Sequence, residues 1–307
     1  MNEPAPAPGV AALCVALIGY GEVGGIFGAA LAAGRVRSVA AYDILIADNA
    51  WAAAARTRAT RDGVMLASDP GTAVANADLV ISAVTAQATT TAAEAIARAC
   101  RPAAFVLDVN SASPHTRTAC ADIVARAGGR YVEAAVMSAV PPHGLRAPML
   151  LGGPHAESLR PMLAELGFDA VVGAPAYGVV SAIKLCRSVM MKGMEALAVE
   201  SLLTARRYGV EREVVASLSE TFPGLDWERQ ASYFWRRVAQ HGRRRAEEMR
   251  EAAATVADAG LAPRMATASA DLQAWVAALA AAGVFEGTAA DAGWRELADR
   301  IARETDE

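Results

Sequence analysis

Six residues near the start of the chain, Gly19-Tyr20-Gly21-Glu22-Val23-Gly24, carry a spacing with a physical use. A glycine in the first place permits a tight turn. One in the second lets a bulky anion approach the backbone, and one in the third lets a helix pack closely on a strand. The apolar run before this segment and the small-residue run after it predict strand, turn and helix. Phosphate oxygens would then meet the N–H groups at the helix start. Nineteen residues past Gly24, at the end of the next apolar run, stands Asp43. A carboxylate there would bond both hydroxyls of an adenosine ribose and repel a 2′-phosphate, so the spacing predicts NAD in preference to NADP. Asp48 is the nearby alternative, and Asp43 is otherwise a turn residue. Arg56 and Arg58 would serve a phosphate if their helix folded back.

Two further segments end apolar runs, Val84-Thr85 and Asp108-Val109-Asn110-Ser111-Ala112-Ser113-Pro114. In a doubly wound sheet the carboxyl ends of the strands face the ligand crevice, which makes Thr85, Asn110 and Ser111 candidates for cofactor or substrate contacts. Ser113 before Pro114 reads as a helix cap. Lys184 sits in Ala182-Ile183-Lys184-Leu185-Cys186, an apolar stretch. Such a lysine either snorkels to the surface or is held in a cleft, where desolvation lowers its pKa towards acid/base work.

The elements that must position these residues follow from the apolar pattern. Runs without polar alternation at 13–18, 39–42, 64–66, 79–83, 105–107, 131–135, 149–151 and 170–172 predict strands covered on both faces, as in a parallel sheet. Alanine-rich segments such as 89–101 and 114–127 supply the crossovers, which gives an α/β fold with a doubly wound, mostly parallel Rossmann sheet. From about 177 to 208 one long helix is expected, on the order of 45 Å in length. The rest is helical and charged, so we read a dinucleotide-binding domain at 1–173 and an all-helical domain at 174–307. The Pro/Ala-rich residues 1–9 read as disordered.

Of 307 residues, 54% are hydrophobic, yet the excess is largely alanine, and the net charge is −4. An acidic chain disfavours nucleic acid and anionic membrane surfaces as partners. The one bilayer-length apolar stretch, 9–34, is broken in its middle by Gly19, Gly21, Gly24, Gly25 and Gly28, and no Lys or Arg precedes Arg35, which argues against a span or a secretory leader. Cys14, Cys100, Cys120 and Cys186 are scattered, with no metal-ligand spacing, and fit a reducing cytoplasm.

Over nearly its full length the chain resembles the β-hydroxyacid dehydrogenase and 6-phosphogluconate dehydrogenase superfamily. The segment 108–114 stands where that family carries a DxST-like loop. Glu133-Ala134-Ala135-Val136-Met137-Ser138-Ala139 is similar to its substrate segment D-A-P-V-S-G-G, and Leu151-Gly152-Gly153 to its return strand. Gly178-Val179-Val180-Ser181-Ala182-Ile183-Lys184 resembles the stretch bearing the catalytic lysine. The resemblance implies Lys184 as general acid/base, Ser111, Ser138, Ser188 and His143 toward the substrate, and Gly19 to Gly24, Asp43, Thr85 and Asn110 toward the cofactor. It also implies a small hydroxy acid as substrate and a homodimer formed by the helical domain.

Departures mark a divergent branch. The family's K-x-x-N-N is Lys184-Leu185-Cys186-Arg187-Ser188 here, and Met137-Ser138-Ala139-Val140-Pro141-Pro142-His143 replaces the loop after the substrate serine. A later K-D-L corresponds in position to Glu247-Glu248-Met249. The basic run 236–245 reads as a solvated helix face or dimer contact, and Trp227, Phe234 and Trp235 as core or interface. The expected activity is an NAD-dependent hydride transfer between nicotinamide and the CH–OH carbon of a small hydroxy acid or related alcohol. An imine-reductase-type enzyme and a non-catalytic NAD sensor are the alternatives.

Overall fold

Alternate residues of the apolar runs pack into two different layers, which is why the runs show no polar alternation. The computed structural model describes residues 10–34 and 36–305; the segment 1–9 lies outside them. The strands are β1 (Cys14–Ile18), β2 (Ser38–Tyr42), β3 (Met65–Leu66), β4 (Leu79–Ser82), β5 (Phe105–Asp108), β6 (Arg130–Val136), β7 (Met149–Gly152) and β8 (Ala170–Ala174). Each falls on an expected strand, with ends moved by no more than two residues. Between them run α1 (Glu22–Ala32), α2 (Asn49–Asp62), α3 (Pro70–Val74), α4 (Thr89–Ala97), α5 (Pro114–Arg126), α6 (Val140–His143) and α7 (Ala156–Glu165).

The sheet order is β3-β2-β1-β4-β5-β6-β7-β8. Every pairing is parallel except β6 with β7. Val15 and Leu17 of β1 join Phe27 and Leu31 of α1 in one buried layer. Ala16 and Ile18 join Ala93 and Ile96 of α4 and Val124 of α5 in the other. The strand order reverses between β1 and β4, so the two strands leave a crevice at their carboxyl ends.

The chain divides into two compact units, the first ending at Lys184 and the second beginning at Leu185. The helix α8 (Val179–Tyr208) continues across that division and supplies the first helix of the second unit. There α9 (Glu211–Thr221), α10 (Trp227–Asp258), α11 (Arg264–Ala281) and α12 (Trp294–Thr305) complete an all-helical body. Its core gathers Val199, Leu202, Trp235, Val238, Trp294, Leu297 and Ile301. α10 and α11 approach closely at Gly242, where an added Cβ would lie 2.8 Å from the Gln273 carbonyl oxygen.

The basic run on α10 departs from the expected solvated face. Arg243 and Arg244 are exposed, but Arg245 is only 4% exposed and pairs with Glu195 of α8. Arg236 reaches the carbonyls of Asp291 and Ala292. At 100° per residue, three consecutive arginines cannot share one face, and the third turns into the core. Phe234 and Trp235 are buried as expected. Among the described residues no helix is long and apolar enough to cross a membrane.

Candidate active site

The three glycines after β1 meet three different demands. Gly19 has φ +96°, and a Cβ on it would lie 2.3 Å from the Ala83 carbonyl oxygen. A Cβ on Gly24 would lie 2.0 Å from the Gly19 carbonyl oxygen. Around Gly21 nothing stands within 4 Å of an added Cβ. Gly21 also caps α1 without a side-chain hydrogen bond, and it and Glu22 are exposed. That combination fits a pyrophosphate, which needs backbone donors, a positive helix end and room.

Tyr20 has a different place from its neighbours in the loop. Its ring is fully buried in the sheet core, with the Arg58 guanidinium 4.4 Å from the ring centre. Arg58 also donates to the Tyr20 carbonyl. The side chain thus anchors the loop, and only the Tyr20 backbone is displayed. Glu22 is exposed in the first turn of α1, and Val23 packs on the core.

Asp43 follows β2, and both of its carboxylate oxygens receive backbone hydrogens. Oδ2 accepts from the Tyr20 N–H at 2.7 Å and Oδ1 from the Leu45 N–H at 3.0 Å. These bonds fix the carboxylate beside the glycine loop, while a carboxylate keeps further lone pairs for ribose hydroxyls. Asp48 instead caps α2 by accepting from the Trp51 N–H. Arg56 is exposed, and Arg58 donates to the Tyr20 carbonyl of the loop.

Thr85 is exposed just after β4. Asn110, after β5, is 3% exposed. Its Oδ1 accepts from the Val84 N–H at 2.7 Å and its Nδ2 donates to Ser82 Oγ at 3.0 Å, which ties the ends of β4 and β5 together. Ser111 beside it is partly buried, and Ser113 caps α5. Ser138 and His143 are exposed on the segment after β6. The glycine loop, Asp43, Thr85, Asn110 and Ser111 therefore collect at the carboxyl edge of the sheet.

Behind that edge lies a charged cluster that sequence reasoning missed. Arg117 of α5 is 1% exposed and pairs with Asp108 at 2.5 Å, while donating to the carbonyls of Asp108 and Asn110. Burial works against the guanidinium charge, but Asp108, Tyr131 and Glu133 outweigh it and hold the group protonated. Glu133 of β6 accepts from the Gly178 N–H at 2.8 Å and from the Ser181 hydroxyl at 2.7 Å. Burial raises the Glu133 pKa, opposed by Arg117 and these donors. Glu133 thus fixes the start of α8 against β6, and Lys184 follows Ser181 by three residues, partly buried.

Ser188 belongs to the helical unit. It is 7% exposed, and its Oγ accepts a hydrogen bond at 3.2 Å from Lys192, a residue the motif comparison passed over. The i, i+4 spacing from Ser188 on a helix was the available clue.

Fold and loop together define a dinucleotide-binding protein of the dehydrogenase type. Residues 14–173 match the NAD binding domain of 6-phosphogluconate dehydrogenase, and residues 205–276 match a domain of unknown function, DUF1932. The chain belongs to the 6-phosphogluconate dehydrogenase-like NAD-binding family. A conserved hypothetical protein from Sinorhizobium meliloti 1021 is similar at 37% identity, with 95% of this chain and 96% of that one covered and a TM-score of 0.74. The Mycobacterium tuberculosis 3-hydroxyisobutyrate dehydrogenase, solved with L-serine, shares the fold at 19% identity, covering 94% and 99%, with a TM-score of 0.69. An imine reductase from Myxococcus stipitatus in complex with NADP+ shares it at 17% identity, covering 88% and 95%, with a TM-score of 0.53. No curated protein matches the chain.

Proposed function

We propose that this chain is an NAD-preferring oxidoreductase acting on the CH–OH group of a small hydroxy acid, with Lys184 as general acid/base. One observation carries the reading. Glu133 ties Gly178 and Ser181 to β6, so the first turns of α8, and Lys184 with them, are fixed to the sheet that holds the glycine loop.

The backbone at Gly21 and the first turn of α1 would receive the pyrophosphate, and Asp43 the adenosine ribose. A carboxylate held there by the Tyr20 and Leu45 N–H groups disfavours a second phosphate, which supports NAD over NADP. Asn110 and Thr85 are assigned to the nicotinamide side. When bound, the dinucleotide supplies the hydride acceptor or donor.

In the oxidative direction Lys184 Nζ takes the substrate hydroxyl proton, and in reduction it returns that proton. Ser111, Ser138, Ser188 and His143 are assigned to the substrate's remaining polar groups. Met190, Met194 and Leu197 leave apolar surface exposed on α8, which supports a homodimer formed through the helical unit.

The test is Lys184→Ala with a panel of small hydroxy acids that includes 3-hydroxyisobutyrate and L-serine. Turnover drops by about 10²–10⁴-fold while NADH affinity stays within about twofold. Unchanged turnover in the variant would remove Lys184 from the chemistry. NADH binding by the wild type without oxidation of any panel member would replace the enzyme with a nucleotide sensor.

A further inference from the structure

Gly25 directly follows the three glycines of the loop, and their roles do not explain it. It is buried in the first turn of α1, and a Cβ on it would lie 3.2 Å from Arg58 Cζ and 3.3 Å from Arg58 Nη1. The absent side chain makes room for a guanidinium carried by α2. That group also packs on the Tyr20 ring, 4.4 Å from its centre, and its Nη2 donates to the Tyr20 carbonyl. Asp62, one turn further along α2, is taken through both oxygens by Arg61.

A cation against the first turn of a helix opposes the positive end of the helix dipole. What the position supplies is control of one peptide group. Glycine at 21 leaves room for an anion, but it also lets the Tyr20–Gly21 peptide turn over, since glycine accepts either sign of φ. Turned over, the loop would present a carbonyl oxygen to a phosphate. The N–H groups of Gly19 and Tyr20 are held at the end of β2, by the Tyr42 carbonyl at 2.8 Å and by Asp43 Oδ2 at 2.7 Å. In a trans peptide the C=O and N–H point to opposite sides. Arg58 holds the Tyr20 carbonyl toward α2, so the Gly21 N–H is turned the other way, at an exposed residue with no atom within 4 Å of an added Cβ.

We propose that Arg58 is a positioning residue that locks the Tyr20–Gly21 peptide with its N–H outward, ready for the diphosphate of a dinucleotide, and that Gly25 is the space this arginine needs. The proposal rests on the dinucleotide reading of the loop. It concerns the diphosphate and leaves the adenosine ribose to Asp43.

The test compares ADP, which carries a diphosphate, with adenosine, which does not, by calorimetric titration of the full chain. Arg58→Met keeps an apolar stem over the Tyr20 ring and removes the donor. ADP affinity falls by about tenfold or more, while adenosine affinity stays within about twofold. Gly25→Ala keeps the charge but displaces the guanidinium, and it weakens ADP by about threefold or more. In the Arg58→Met background Gly25→Ala costs nothing further, as one shared cause requires. Circular dichroism checks that each variant is folded, and either single variant decides the matter if the other is not. Equal losses for ADP and adenosine would assign Arg58 to packing and overturn the proposal. Unchanged ADP affinity in a folded variant, or losses that add in the double variant, would overturn it too. If the parent binds neither ADP nor NADH, the dinucleotide reading falls and the role of Arg58 falls with it.

Discussion

Single glycines in the loop after β1 separate folding from ligand reception. Gly24→Ala would force a Cβ to 2.0 Å from the Gly19 carbonyl oxygen, so the turn must open. The expected result is a loss of about 2 kcal/mol or more of stability, read by urea unfolding, together with nucleotide binding. Gly21→Ala meets no atom within 4 Å. Its melting temperature stays near that of the parent while NADH affinity falls by about tenfold or more, measured by fluorescence titration. Equal affinity in Gly21→Ala and the parent would show that no phosphate passes over Gly21. These roles were legible in the sequence because the spacing is local. The bonds from the Tyr20 and Leu45 N–H groups to Asp43 were not, since they depend on where two separate strands end.

At the scale of elements, one carboxylate supplies the hydrogen bonds to the start of α8 from β6, beside the apolar contact of Val180 with Ala135. Glu133→Ala strands the Gly178 N–H and the Ser181 hydroxyl and leaves Arg117 with less compensation in a fully buried position. The expected cost is about 3 kcal/mol or more, checked by urea denaturation, with activity lost in proportion to the displacement of α8. A change below about 0.5 kcal/mol would show that α8 is held by something else. The strands themselves were readable because β1, β4 and β5 are apolar on both faces. Arg117 was not, because a charged residue in the first turn of α5 looks solvated until Asp108, Tyr131 and Glu133 are seen around it. The same blindness applied to Arg245 and Lys192, whose partners Glu195 and Glu248 lie 50 and 56 residues away in the chain.

Over the whole molecule, acid should weaken the helical unit through its half-buried arginine clusters. Arg206 joins α8 to Asp299 of α12, and Arg295 of α12 holds Glu228 of α10. Hydrogen bonds from these arginines hold both carboxyls below their ordinary values. Groups with lowered folded pKa contribute stability above the unfolded value, and that contribution is lost as pH falls from about 4.5 through the folded values. Glu195, raised by burial, acts in the opposite sense. Arg206→Met therefore lowers stability at pH 7, by no more than about 1 kcal/mol for a pair this exposed. The gap to the parent narrows as pH falls below about 4, as followed by circular dichroism melts across pH. A gap independent of pH would assign Arg206 to packing alone.

The anchoring of Tyr20 has a thermal consequence. Its ring is embedded in the same apolar layer as Phe27 and Leu31, so the receiving loop cannot soften ahead of the sheet beneath it. Warming the protein should leave nucleotide affinity declining smoothly until the layer itself melts, with no earlier temperature at which the loop alone gives way.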